Sequence, residues 1–278
     1  MKTLRLVLVS LILPLLFLFF WHGMSLHVDN PRILPSIPTV WGLLTNPTQN
    51  LIGVGSLLNN TGISLLRVFV GYILAAVVAI PLGVVIGYSK SANRLLLPFL
   101  SLFRSVPPMA WVPLVLAWFG ITSLATVLNI PPGPGAFVVL NNLRLSMAFI
   151  IFLGAFFPIL SNTVHGIKEV RETLVKAARS MGATDWQIVR KVHLPHAAPS
   201  IFTGLQVGLG TAWMCLVCAE MLPGSIAGLG YLISHAYQVT RLDVVIAGMV
   251  TISLVGFLLD FGFLMLGKRL FKWQTRGE

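Results

Sequence analysis

Residues 176–195 of the chain read KAARSMGATDWQIVRKVHLP, a mostly polar and basic stretch within an otherwise hydrophobic protein. Of the 278 residues, 56% are hydrophobic and only 10% are charged. A soluble domain carries about 25% charged residues, and the mean hydropathy here is +0.89. Both values predict a protein embedded in a membrane, in which residues 176–195 form one of the few segments suited to water.

Long apolar runs predict an all-α membrane protein with six transmembrane helices, because a helix needs about 20 apolar residues to cross a bilayer. The first run, LVLVSLILPLLFLFFW, is long for a signal peptide and has no clean cleavage site after it, so we expect an uncleaved span. No polar segment is long enough to fold alone, which predicts a single transmembrane domain over residues 1–278. The six spans are residues 6–22, 63–88, 95–119, 143–165, 200–222 and 243–267.

The distribution of Lys and Arg predicts the orientation, because basic residues accumulate in cytoplasmic loops. A cytoplasmic N-terminus places 14 of the 19 basic residues in the cytoplasm: Lys2, Arg5, Lys90, Arg94, six between Lys168 and Lys191, and four from Lys268 to Arg276. Only Arg32, Arg144 and Arg241 fall outside, and the remaining two, Arg67 and Arg104, lie within spans. We therefore expect both termini in the cytoplasm, and we attribute the net charge of +11 to topology rather than to nucleic-acid binding.

Two further patterns concern the spans and an outer loop. Glycines four residues apart, Gly83/Gly87 and Gly204/Gly208, predict close helix contacts. The external segment 120–142 contains NIPPGPG, which is incompatible with a helix, and the remainder is too short to span.

The cytoplasmic stretch predicts two short helices. The first runs from Lys168 to Met181, and Gly182 ends it. Thr184 and Gln187 then have the spacing of a capping box that begins a second helix, and Pro195 is expected to end that helix before the fifth span. Small residues at the turn favour close approach of another protein, while an ordinary solvated loop is the alternative.

The same stretch resembles the EAA loop of the permeases of ABC importers, whose pattern is Glu-Ala-Ala, three residues, Gly, nine residues, Ile, one residue, Leu-Pro. Lys176 stands where the family has Glu, and Glu172 lies one turn earlier. The remaining pattern positions are occupied by Ala177, Ala178, Gly182, Val192 in place of Ile, Leu194 and Pro195.

The resemblance extends to LPSIPTVWGLL, SLLRVFVGYILAAVVAIPLGVVIGYS, LFRSVPPMAWVPLVLAWFG and AEMLPGSIAGLGYLI. These stretches are similar to the branch of permeases that imports nitrate, sulfonates, taurine or bicarbonate. Residues 121–142 depart from that branch as an insertion between the third and fourth spans.

The resemblance implies a transmembrane permease subunit of a bacterial inner-membrane ABC importer that takes a small anion, with nitrate favoured. Its implied partners are a second permease subunit in a homodimer, a cytoplasmic ATPase dimer, a periplasmic or lipid-anchored solute-binding protein, and membrane lipid. Residues 168–195 would be the cytoplasmic coupling-helix loop seated on the ATPase. ATP and Mg²⁺ would bind the ATPase, so the chain itself needs no cofactor and is not an enzyme. A secondary transporter driven by an ion gradient is the alternative, although no convincing inverted repeat is present.

Polar side chains within the spans are candidates for the substrate pathway, because charges inside a membrane are costly. An anion importer needs positive potential along its path but only weak binding. Arg67 can alternatively snorkel to the interface, and Arg104 can pair with Glu220 or Asp260. We interpret Glu220 as part of a structural or gating ion pair rather than as a substrate contact. The candidate pathway residues are Arg67, Arg104, Gln206, Trp213 and Glu220.

Other motifs carry no chemistry. Cys215 and Cys218 lie in an apolar run and are interpreted as small buried side chains rather than a redox or metal pair. His193 and His196 are expected at the surface, and no metal site is predicted. The segment GFLMLGKR, 262–269, has Arg where a phosphate-binding loop requires Ser or Thr.

Overall fold

The computed structural model describes residues 2–28, 30–222 and 224–271, with side chains described from residue 12 onward. Over these residues the chain is helical, without a strand beyond two isolated bridges. The helices are α1 (Lys2–Val28), α2 (Ile37–Thr45), α3 (Leu57–Tyr88), α4 (Lys90–Arg104), α5 (Val112–Phe119), α6 (Leu124–Val127), α7 (Ala136–Asn141), α8 (Leu145–Lys168), α9 (Glu172–Ser180), α10 (Asp185–Ile188), α11 (Leu194–Glu220), α12 (Leu229–Gln238) and α13 (Leu242–Leu270).

Four helical stretches of the described chain are long and apolar enough to cross a membrane, and a bent pair raises the number to five. The four are α3, α8, the continuous stretch Asp185–Glu220, and α13. The predicted first span lies within α1, whose searched part, Ile12–Val28, is apolar but shorter than a full span. The all-α membrane fold is therefore confirmed, while the number of six spans stays a prediction.

The predicted third span, residues 95–119, is wrong as a continuous helix. It consists of α4 and the segment Pro108–Phe119, which is a 3₁₀ turn followed by α5, and the two are bent by 86°. The break falls at Ser105-Val106-Pro107-Pro108. Two consecutive prolines remove two backbone donors and force the preceding residues out of the helical conformation, which explains the break.

Two compact units are distinguished, Met1–Gly62 with Ser225–Ser253, and Ile63–Gly224 with Leu254–Glu278. In the first, Asn60 is fully buried; its amide nitrogen donates to the Val54 and Ser56 carbonyls, and its oxygen accepts from the Gly228 amide at 2.7 Å. One side chain thereby connects the start of α3 with the start of α12. The prediction of one domain over residues 1–278 is not tested by this division.

In the second unit α8 packs between α3 and α11, and the predicted glycine pairs make both contacts. A Cβ added at Gly83 would lie 2.7 Å from the Thr163 Cβ, and one added at Gly204 would lie 2.7 Å from the Asn162 Cβ. Gly87 and Gly208 approach Ile167 and Ile159 equally closely. Glycine is required at these positions because a larger residue would separate the backbones.

Segment 120–142, which the sequence predicts to be external, is broken as predicted. NIPPGPG is not helical and separates the short helices α6 and α7, neither of which is longer than six residues. Among basic residues counted in the orientation argument, Lys272 and Arg276 lie outside the described residues, and the side chains of Lys2 and Arg5 are not described.

Candidate functional site

The stretch 176–195 forms a helix, a glycine turn and a second helix. α9 ends at Ser180, and Gly182 follows with φ +79, a conformation that side chains with a Cβ rarely adopt. The capping box is present: the Gln187 amide donates to the Thr184 hydroxyl at 3.4 Å, and the Thr184 amide donates to the Gln187 side chain at 2.9 Å. The first helix begins at Glu172 rather than Lys168, because α8 continues through Lys168.

Pro195 does not end the second helix, which corrects the prediction. α10 continues through a π-helical turn, Val189–His193, directly into α11. The amide of Leu194 bonds to the carbonyl of Val189, five residues back. The widened turn accommodates the missing donor of Pro195 at the start of α11. The loop is therefore joined to a spanning helix without a break.

The connection between the loop and the helix ends is polar. Asp185 accepts hydrogen bonds from the Tyr88 hydroxyl at 2.6 Å and from Arg179 at 3.1 Å. The hydrogen bond to Asp185 raises the pKa of Arg179 above its ordinary value. His193, expected at the surface, is instead buried, with Nδ1 3.1 Å from the Ile167 carbonyl; His196 is exposed as expected.

The predicted loop residues differ in exposure. Ala177, Gly182 and Pro195 are exposed, Ala178 is buried, and Val192 and Leu194 are half-buried. Lys176 is exposed, pairs with Glu172 at 3.2 Å, and lines a cavity of about 550 Å³ beneath the loop.

Three large apolar side chains are exposed on this polar loop. Leu174 is 49% exposed, Met181 82% and Trp186 69%. Trp186 was not singled out from the sequence, because a lone aromatic residue after a cap does not show which way it faces. A hydrophobic group this exposed in an aqueous loop is typical of a protein contact.

Two predicted pathway residues, Arg67 and Glu220, form a buried ion pair. Arg67 Nη1 lies 2.7 Å from Glu220 Oε1, and both side chains are at most 1% exposed. The Ser64 hydroxyl also donates to Glu220 at 2.9 Å, and Arg67 Nε donates to the Asn142 carbonyl at 2.7 Å. Arg67 therefore does not snorkel, and Glu220 is not the partner of Arg104.

Gln206 and Trp213 both lie on α11, where α11 contacts α13. Gln206 donates to Asp260 at 2.7 Å, and Trp213 is buried against Gly256 of α13. The two α11 residues and Asp260 line a cavity of only about 30 Å³, which has room for about one water molecule.

Arg104 differs from the other candidates because it is exposed. It ends α4 immediately before the 86° bend, and its Nη1 lies 3.4 Å from the Ser161 hydroxyl of α8. The five predicted pathway residues are thus placed in three separate groups. Arg104 lines two cavities of about 260 and 410 Å³, and Gln206 also lines one of about 580 Å³.

A sequence model of the family described as "Binding-protein-dependent transport system inner membrane component" matches residues 79–272, which include the loop and most of the spans. The chain belongs to this family. Its members are transporter permeases and not catalytic subunits. The segment GFLMLGKR lies within the continuous helix α13, whereas a phosphate-binding loop joins a strand to a helix.

Three relatives support the family. The chain is 46% identical over 262 residues to a putative ABC transporter permease of Methanocaldococcus jannaschii, with 94% of this chain and 90% of the relative covered. It is 34% identical to the putative aliphatic sulfonates transport permease SsuC of Bacillus subtilis, covering 97% and 88%. It is 32% identical to the taurine transport system permease TauC of Escherichia coli, covering 94% and 88%.

A solved structure supports the fold. An inward-facing form of the MetNI methionine ABC transporter matches with a TM-score of 0.61 at 21% identity, over 77% of this chain and 95% of the other. The chain therefore shares the fold of that transporter's matched chain.

Proposed function

We propose that this chain is the permease subunit of an ATP-driven importer for a small anion, with an organic sulfonate as the first candidate. The family and two relatives named for taurine and aliphatic sulfonates support this substrate class. Nitrate and bicarbonate, expected from the sequence resemblance, are the competing substrates. An external binding protein delivers the anion, and a second copy of the chain completes the permease.

The observation that carries the coupling role is the loop of residues 168–195. It presents Met181 and Trp186 on either side of the left-handed turn at Gly182. Apolar anchors surrounded by polar residues are the arrangement that concentrates binding energy at interfaces. The partner is a cytoplasmic ATPase dimer, which binds ATP and Mg²⁺.

The continuity of α10, the π turn and α11 supplies a mechanical connection. A force applied to the loop moves α11 directly, since no flexible segment lies between Asp185 and Glu220. Asp185 is also bonded to Tyr88 at the end of α3. Movement of the ATPase would therefore reach two helices that pack against α8.

The ATPase contact is tested by co-purification after expression of the chain with its chromosomal neighbours. We expect Trp186→Ala to reduce the recovered ATPase strongly, because removing an interface anchor costs about 2 kcal/mol or more, roughly 30-fold in affinity. The matched control is Trp41→Ala, since Trp41 is 65% exposed but lies in α2, away from the loop in sequence. Full ATPase recovery with Trp186→Ala would contradict the docking role.

An importer driven by an ion gradient is the competing function. The two are separated by the ATP requirement of transport, because a secondary transporter needs no ATPase. No described residue pattern favours the gradient mechanism.

A further inference from the structure

Two cavities in the second unit meet at Arg104. The first, of about 410 Å³, reaches from Arg104 to Met214 and Cys215 on α11. The second, of about 260 Å³, reaches from Arg104 to His165 and Lys168 at the end of α8. Because both cavities are lined by Arg104, Phe157 and Ser161, they follow one another along the same helix face.

The residues of this face of α8 differ from those that contact the glycines of α3 and α11, and they are at least partly exposed from Phe157 onward, whereas Leu153 is buried. Thr163 and Ile167 contact the glycines of α3, and Ile159 and Asn162 contact those of α11. The cavity-lining residues Leu153, Phe157, Ser161, His165 and Lys168 recur every three or four positions and form one stripe. Ser161 lies about 10 Å along the helix from Lys168, so Arg104 contacts α8 well within the span.

Arg104 has no acidic partner within 4 Å among the residues the structure describes. Its one hydrogen bond, to Ser161, is long at 3.4 Å. Arg67 shows the other arrangement, a buried guanidinium held by Glu220. A charged residue within a span rarely faces lipid and usually faces the bundle interior or a water-filled cavity, because lipid solvates a charge poorly.

The helix break supports the same conclusion. Non-helical backbone at membrane depth is tolerated only where it is covered by protein or lines a water-filled cavity. Arg104 is the last residue of α4 before the break, and Val106 and Pro108 of the bend line the larger cavity. The bend therefore opens onto the cavity that contains Arg104.

We propose that the stripe from Leu153 to Lys168 lines the loop-side part of the anion pathway, with Arg104 as its anion-binding residue. The ligand class is a small oxyanion, sulfonate or carboxylate, for which a guanidinium offers two parallel donors. One unpaired cation attracts the ion but releases it, and Lys168 lies at the loop end of the stripe. The direction of transport and the identity of the substrate rest on the proposed function. The preference of the cavity for anions over cations does not.

The charge preference is measured with a reporter thiol. Ser161→Cys is introduced with Cys215→Ala and Cys218→Ala, and the complex is placed in nanodiscs. The probes are 2-sulfonatoethyl and 2-(trimethylammonio)ethyl methanethiosulfonate, one anionic and one cationic, with rates normalised to those of a free thiol. We expect Arg104→Gln to lower the ratio of anionic to cationic rates about ten-fold, since one nearby charge changes the energies of the two probes oppositely.

Two variants control this measurement. Arg104→Lys retains the charge and should retain the ratio. Arg269→Gln removes a positive charge from an exposed site on α13 and should leave the ratio unchanged. A ratio that Arg104→Gln does not alter, or that Arg269→Gln lowers equally, would overturn the proposal.

A transport assay separates this proposal from the proposed function. If the unaltered complex takes up no tested anion with ATP, the function fails, while the thiol ratio still tests the cavity. If uptake is intact in the unaltered complex and also in Arg104→Gln, the binding role of Arg104 fails and the function stands.

Discussion

At the scale of single residues, the buried pair of Arg67 and Glu220 is expected to stabilise the bundle rather than contact the substrate. Glu220→Ala leaves a guanidinium buried without its carboxylate, which costs about 3–5 kcal/mol. We expect a clear loss of thermal stability of the detergent-solubilised protein, followed by fluorescence or by retention of the monodisperse peak after heating.

The double variant Arg67→Met with Glu220→Leu distinguishes a structural role from a transport role. Replacing both charges with apolar groups is often close to neutral for stability. The double variant should therefore recover most of the stability and also transport. Recovered stability with lost transport would show that the pair acts in the pathway.

The sequence identified these charged residues but not their partners. Arg67, Arg104, Glu220 and Asp260 are all conspicuous in apolar runs. Which charges pair depends on how each helix is rotated and shifted along its axis relative to its neighbour. Arg67 and Glu220 lie on different helices and are more than 150 residues apart in the sequence. Hydrophobic runs that are apolar on all sides contain little information on that rotation, so the sequence left open whether Glu220 pairs with Arg104, whereas the structure pairs it with Arg67.

At the scale of elements, the contact between α3 and α8 depends on glycine. Gly83→Leu would place a side chain where a Cβ already lies 2.7 Å from the Thr163 Cβ. We expect a loss of about 1–3 kcal/mol through overpacking, seen as a lower unfolding temperature. Gly210→Leu is the matched control, because nothing lies within 4 Å of a Cβ at that helical glycine; equal losses at both positions would argue against the close contact.

The turn at Gly182 gives a second prediction for an element. Nothing lies within 4 Å of a Cβ built there, so an arginine side chain starts in open space and, beyond the backbone strain at φ +79, its bulk acts on whatever docks against the turn. We expect an intact bundle with transport uncoupled from ATP. Gly182→Ala carries the backbone strain of φ +79 without the bulk and should retain more activity; normal ATP-driven uptake by Gly182→Arg would exclude close docking.

Local signals predicted the elements where the chemistry is local. The capping box at Thr184 and Gln187 and the stop at Gly182 are both present, because they need only neighbouring residues. Pro195 was predicted to end the second helix and does not, and the third span was predicted without a break at Pro107-Pro108. A π turn accommodates the first, while the second pair breaks a run that is apolar throughout, and hydropathy does not register backbone geometry.

At the scale of the whole molecule, the distribution of basic residues predicts that the loop of residues 168–195 lies on the cytoplasmic side of the membrane. A single reporter cysteine at Arg190, with Cys215 and Cys218 replaced by Ala, should react with a membrane-impermeant maleimide only after the cell is opened. A reporter at Arg32 should react in intact cells. The reverse pattern would invert the topology and place the loop beyond reach of a cytoplasmic ATPase.

We propose that ATP hydrolysis on a partner drives an anion through this chain. The most direct measurement is uptake of labelled taurine, nitrate or bicarbonate by proteoliposomes that contain the complex and its binding protein, with ATP on the loop side. We predict uptake of at least one anion that requires ATP and stops with a non-hydrolysable analogue. Equal uptake without ATP, driven by an imposed ion gradient, would contradict the account.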